Sequence, residues 1–173
     1  MKKFLIPFFV IGSMAMIVVM TKTGAILKTS AAPMGILDLE FAYNTTKTTP
    51  ILNSWAPAGN TDNISAAKIN TYWDFLFLFF YAGFLFLACT KIASAIKGPV
   101  AKAGNLIAKA ALLAGFFDIL ENIGMLFTLN GQGSSTIAFC TTFISVIKWG
   151  LAIIAVLYVL TGLLVLSYRR MKY

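Results

Sequence analysis

Four apolar runs, each long enough to cross a bilayer, limit the folds open to this chain of 173 residues. A helix needs about 20 apolar residues to cross a hydrocarbon core of roughly 30 Å. Inside lipid a chain must satisfy its own backbone polar groups, so runs of this length cross as helices. They fall at about residues 4–20, 72–92, 106–129 and 137–167, with a loop over 21–71 between the first two. The expected fold is an all-α membrane protein, a four-transmembrane-helix bundle, with residues 1–173 forming a single integral membrane domain. Composition agrees: 59% of residues are hydrophobic and only 12% charged, where a soluble domain has about 25% charged. No stretch remains for a soluble catalytic domain.

The ends of these helices carry their own signals. Lys2 and Lys3 precede the first run, the outline of a signal peptide, but no A-x-A cleavage site follows, which favours an uncleaved first helix. Asp62 is a good N-cap for a second helix that runs to the Lys97-Gly98-Pro99 stop. The third run stops at Asn130-Gly131, and Ser134-Ser135-Thr136 can cap the fourth. The loop over 21–71 is too long for a connector and too apolar for a disordered one. Short helices are expected after Pro33 and from Pro50, with Thr49 as cap, and a turn over Ala56–Asn60. They would form a helical outer (periplasmic) cap between helices 1 and 2.

The net charge of +8 points at first to nucleic acid, but the basic residues flank apolar runs, so the partner implied is the lipid bilayer and the anionic headgroups on its cytoplasmic side. Lys2, Lys3, Lys91, Lys97, Lys102, Lys109, Arg169, Arg170 and Lys172 fall on one side, against Lys22, Lys28, Lys47 and Lys68 on the other. By the positive-inside rule both termini are expected in the cytoplasm and the cap outside it. The chain has no histidine, the commonest proton shuttle and metal ligand. Its two cysteines, Cys89 and Cys140, form no C-x-x-C pair and read as apolar side chains.

Against that background the polar residues inside the spans stand out. Only six residues are acidic, and two of them, Asp118 and Glu121, sit with Asn122 in the third span. A charge at mid-bilayer costs about 2.5–3.5 kcal/mol on insertion scales, so an intramembrane carboxylate marks a candidate site. Spacing of i, i+3, i+4 puts the three on one helix face, and Gly115 on the same face admits a close neighbour. Lys148, alone inside the fourth span, reaches a similar depth when residues are counted from the turn between the helices, so an ion pair with Glu121 or Asp118 is expected. Asp74, Phe77, Leu78 and Tyr81 form a second inward face. Asp38 and Glu40 lie in the cap, one expected to point in and the other out. Trp55 is the remaining candidate.

The ligand-binding set is thus Asp38, Glu40, Trp55, Asp74, Tyr81, Asp118, Glu121, Asn122 and Lys148, with Asp118, Glu121 and Lys148 as candidate catalytic groups. Three uses compete with a purely structural one. The first is a binding or accessory protein whose outer-leaflet pocket holds a lipid or part of a partner, within a larger membrane complex or a homo-oligomer. The second is a small membrane enzyme acting on a lipid or apolar substrate, with Asp118 or Glu121 as acid or base and Lys148 stabilising negative charge. The third is a carboxylate cation or proton site. Oxygen ligands suit Ca²⁺, Mg²⁺ or Mn²⁺, but Lys148 competes as counter-charge, so no metal and no cofactor is assigned. No motif names a reaction.

These residues also carry a resemblance. The chain resembles a group of uncharacterised bacterial four-span inner-membrane proteins through G-I-L-D-L-E-F-A at Gly35 to Ala42 and I-L-N-S-W ending at Trp55. The same group is matched by D-x-x-F-x-x-x-Y from Asp74 to Tyr81 and D-x-x-E-N from Asp118 to Asn122. The resemblance covers roughly residues 33 to 127. It implies a four-span architecture in a bacterial inner membrane and a site at the motif residues, with no activity attached.

Overall fold

The computed structural model describes residues 4–57 and 62–172, with the side chains of Arg169, Arg170 and Lys172 left aside. Lys2, Lys3 and most of the turn expected over Ala56–Asn60 therefore lie outside the described residues. Among those residues there are six α-helices and no strand. Helix α1 spans Leu5–Gly24 and continues through a 3₁₀ turn, Ala25–Leu27. Two short helices follow, α2 over Ile36–Glu40 and α3 over Thr45–Trp55, and then the long α4 (Asn63–Ala95), α5 (Pro99–Phe127) and α6 (Ser135–Lys172). Four segments are long and apolar enough to cross a membrane: Leu5–Leu27, Asn63–Ala95, Pro99–Gln132 and Ser135–Tyr168. The protein is a multi-pass four-helix bundle with α2 and α3 capping one end.

The distribution of residues is inverted relative to a water-soluble bundle. Large apolar side chains such as Phe79, Phe116, Phe143, Val146, Leu157 and Leu164 point away from the protein, while Ala82, Ala88, Ala108, Ala111, Ala114 and Ala155 fill the interior. Lipid tails are as apolar as leucine and give helices no hydrophobic reason to associate. Small residues let the backbones approach until dispersion and buried hydrogen bonds hold them.

Helix ends follow local chemistry. Asp62 caps α4, its Oδ1 accepting from Ser65 N at 3.0 Å. The Ser65 hydroxyl, donating to Asp62 Oδ2, and that backbone bond, both absent from an extended chain, hold the exposed Asp62 carboxyl below its ordinary range. The α4–α5 turn needs Gly98 at φ 85°, with Pro99 opening α5, and the α5–α6 turn passes through a π-helical segment, Thr128–Gln132, with Gly131 at φ 76°. Both angles lie where a Cβ strains the backbone. One boundary departs from the sequence reading. Helix α3 does not begin at Pro50 behind Thr49. It starts at Thr45, because the Asn44 side chain accepts from Lys47 N at 3.0 Å and caps the helix earlier. Pro50 then sits inside α3, tolerated in a short, largely exposed helix where one backbone donor is missing.

The cap is held by its own apolar cluster, in which Leu27, Leu39, Ile51 and Trp55 meet Met125 near the end of α5 and Leu129 in the π-helical segment after it. Below it, α4, α5 and α6 pack on one another, whereas α1 leans on α4 and makes little contact with α5 or α6. The α1–α4 seam is reciprocal: Phe80 fills the space a Cβ would need at Gly12, and Phe9 does the same at Gly83. The result is an open flank between α1 and α6.

Candidate functional site: a buried charge cluster at the head of a lateral cleft

Helix α5 supplies the floor of the site. Asp118, Glu121 and Asn122 are all buried on one face with Gly115 and Met125. At Gly115 an added Cβ would stand 2.8 Å from the Ala82 Cβ, so α4 lies as close as two backbones allow. That approach brings two α4 side chains within reach. The Tyr81 hydroxyl donates to Asp118 Oδ2 at 2.7 Å, and Asn122 Nδ2 donates to Asp74 Oδ2 at 2.8 Å. The D-x-x-F-x-x-x-Y and D-x-x-E-N segments are thus joined by two hydrogen bonds across an antiparallel helix pair.

Helix α6 brings the cation. Lys148 Nζ lies 2.8 Å from each Glu121 carboxylate oxygen, 3.2 Å from Asp118 Oδ1 and 3.6 Å from Glu40 Oε2. The expected ion pair is present and reaches both α5 acids. Its members are shut away from solvent: Glu121 is 0% exposed, Asp118 2% and Lys148 6%. Ser145, one turn before Lys148, is fully buried, and its hydroxyl has no hydrogen-bond partner. The cap closes the cluster from above. Glu40 enters from α2, its Oε2 accepting from Trp149 Nε1 at 3.2 Å and its backbone carbonyl accepting from Thr142 Oγ1 at 2.9 Å. Burial raises the Glu40 carboxyl above its ordinary range, Lys148 and the Trp149 N–H pull it back, and Asp74 and Asp118 add to the rise.

The sequence-derived candidates divide. Glu40, Asp74, Tyr81, Asp118, Glu121, Asn122 and Lys148 come together. Asp38 does not: it points the other way from Glu40, as expected of that pair, and its carboxylate caps the local turn by accepting from Met34 N at 2.6 Å. Trp55 does not either. Fully buried in the cap, it donates from Nε1 to Leu27 O at 2.8 Å and anchors α3 over the end of α1. Trp149, outside the sequence-derived set, belongs to the site. So does Asn70, which lies one turn before Asp74 and extends the same α4 stripe.

Two cavities open onto this cluster from the α1–α6 flank. One, of about 310 Å³, is apolar and runs between α1, α4 and α6 beside Val10, Ile17, Phe77, Tyr81 and Val156, ending at Lys148 and Trp149. The other, of about 400 Å³, lies under the cap and touches Lys28, Glu40, Asn70, Asp74 and Lys148. They share Ile17, Phe77, Lys148 and Trp149, so they form one lateral cleft with an apolar limb and a polar head. Asp118 and Glu121 line neither; they stand behind Lys148 and fix it. Among the described residues no group of three His, Cys, Asp or Glu side chains is arranged to hold a metal ion. Both cysteines are free thiols, Cys89 buried and Cys140 exposed. No family model, curated protein or solved structure matches this chain.

Proposed function

We propose that this chain is an integral membrane binding protein that holds an amphiphile in its lateral cleft, tail between α1 and α6 and head against the buried charge cluster. The observation that carries this reading is the shape and chemistry of the cleft: an apolar limb of about 310 Å³ that meets lipid on its open side and ends on Lys148. Ligand sites are concave, mostly apolar and finished by a few placed polar groups. The side-chain roles support holding over turnover. Asp118 and Glu121, the acids an enzyme would use, are spent on Lys148, which in turn presents its remaining face to Glu40 and the cleft. The excess of basic residues at the other end of the bundle supports a cap and polar head in the leaflet away from the cytoplasm, and the resemblance above is in keeping with a bacterial inner membrane.

The test is native mass spectrometry of the protein extracted gently from its own membrane, beside an Ala152→Trp variant that fills the apolar limb. The expected result is a lipid-sized adduct on the wild type that Ala152→Trp loses while keeping its helical circular dichroism. A wild type with no small adduct, or one found only in a larger protein complex, overturns the proposal and makes the open flank a seat for a partner subunit.

A further inference from the structure

The polar head of the cleft has an unbalanced supply of acceptors. Three carboxylates, Glu121, Asp118 and Glu40, lie within 4 Å of one cation, Lys148, and a fourth, Asp74, lines the same cavity. Independently of charge, Asn70 is short of a donor. It is 1% exposed, and its Nδ2 donates to Met20 O at 3.0 Å and to Thr23 Oγ1 at 2.6 Å. A backbone carbonyl can only accept, so the amide nitrogen must face Met20, and Oδ1 is the atom left over. That oxygen is buried with no hydrogen-bond partner. A buried acceptor without a donor is a costly thing to keep unless something fills it. Asn70, Asp74 and Glu40 line the same cavity.

The donors around that cavity are already engaged. Thr21 Oγ1 donates to Ile17 O, the Trp149 N–H donates to Glu40, and Lys148 Nζ, which lines the same cavity, donates to Glu121 and Asp118. Lys28 is different: exposed, at the cavity's rim, and in no ion pair with a described residue. The head of the cleft therefore offers spare acceptors within and one exposed, unpaired cation among the described residues of its lining. Resting on the amphiphile reading above, we infer that the head group it takes is a primary ammonium, carried by a zwitterionic lipid whose phosphate meets Lys28. The three N–H bonds of such a group match Asn70 Oδ1, Asp74 and Glu40. A trimethylammonium head has charge but no donor, and a glycerol head has donors but no charge, so each answers half of what the site lacks.

The experiment is a competition on the full chain in mixed micelles. Phosphatidylethanolamine, phosphatidylcholine and phosphatidylglycerol with identical acyl chains are offered in equal amounts, and bound lipid is read by native mass spectrometry. The expected preference for phosphatidylethanolamine is at least about ten-fold, the factor that about 1.4 kcal/mol carries. Asp74→Asn, which keeps the acceptor for Asn122, is expected to bring the three lipids close to parity. Glu40→Gln, which keeps the acceptor for Trp149, is expected to move the preference the same way and serves if Asp74→Asn fails to assemble. Equal binding of the three lipids by the wild type, or a preference for phosphatidylglycerol, overturns the ammonium assignment and leaves the cleft reading standing. Loss of every lipid, or adducts indifferent to Ala152→Trp, overturns the cleft reading and this inference with it.

Discussion

Replacing Lys148 with methionine keeps most of its volume and removes its charge, which isolates what that charge does. In the native cluster Nζ stands 2.8 Å from Glu121 and 3.2 Å from Asp118. At an effective dielectric near 20, a unit pair at 2.8 Å attracts by about 6 kcal/mol, before either ion's desolvation is charged against it. Breaking a buried pair from one side costs about 3–5 kcal/mol, because the partner is left buried and uncompensated. The cluster has one escape, which is to take up a proton. Neutralising a carboxyl of ordinary pKa, about 4.3, at pH 7 costs about 3.7 kcal/mol, which falls inside the same range and caps the loss. Lys148→Met is therefore expected to lose about 3–4 kcal/mol of unfolding free energy at pH 7, measured by titration from mild detergent into SDS. The loss should shrink as pH falls toward 4.5. Lys148→Met with Glu121→Gln should recover at least about 1.5 kcal/mol, since the second change removes the charge the first one stranded. A single variant within about 1 kcal/mol of wild type, or a double variant whose losses simply add, would refute the reasoning and show that the cluster is not an interdependent unit.

Two further expectations follow from the packing and the cap. Gly115→Leu must push α4 away from α5, because even a methyl group there would stand 2.8 Å from Ala82; overpacking of this kind costs about 1–3 kcal/mol or more, and loss of the Tyr81–Asp118 bond should appear as faster exchange of the Tyr81 hydroxyl environment in hydrogen–deuterium or fluorotyrosine spectra. At Glu40 the carboxyl is raised by burial, so its contribution to stability is fully present below its ordinary value of about 4.5 and is lost as pH climbs through its folded value. Glu40→Gln should therefore gain on wild type as pH rises from about 4.5 to 8, and parallel stability curves across that range would contradict the direction.

Much of the site could be read from the chain because membrane burial makes polar residues scarce and therefore informative. Asp118, Glu121 and Asn122 had to share a face, and Lys148 had to answer them at similar depth; both follow from helix rise and the cost of a bare charge. The inward face from Asp74 to Tyr81 was legible for the same reason, and continuing it one turn back reaches Asn70. Trp55 and Trp149 were harder. Both are tryptophans with a polar N–H, one at a helix end and one beside Lys148, and only the docking of the cap decides that the first bonds Leu27 and the second bonds Glu40. That docking joins residues about a hundred positions apart, as in Thr142 to Glu40 and Thr45 to Ser135, and no local pattern encodes it. The start of α3 is ambiguous in the sequence because Asn44 and Thr49 are both acceptable caps; the earlier start adds Thr48 to the buried face of Ile51 and Trp55.

The tight turn through Gly131 also has a bearing on how such a chain is made. As α5 leaves the ribosome its two acids have no counter-charge, and Lys148 is the group that supplies one. Only 27 residues separate Glu121 from Lys148. At a synthesis rate of roughly 5–20 residues per second, the lysine emerges about one to five seconds after the acid. Lengthening the turn would widen that interval, so its brevity lets α5 and α6 enter the bilayer as a hairpin already close to neutral. Helix α1 carries no acid between Leu5 and Gly24 and can wait in lipid through the synthesis of the whole cap until α4 arrives to receive it.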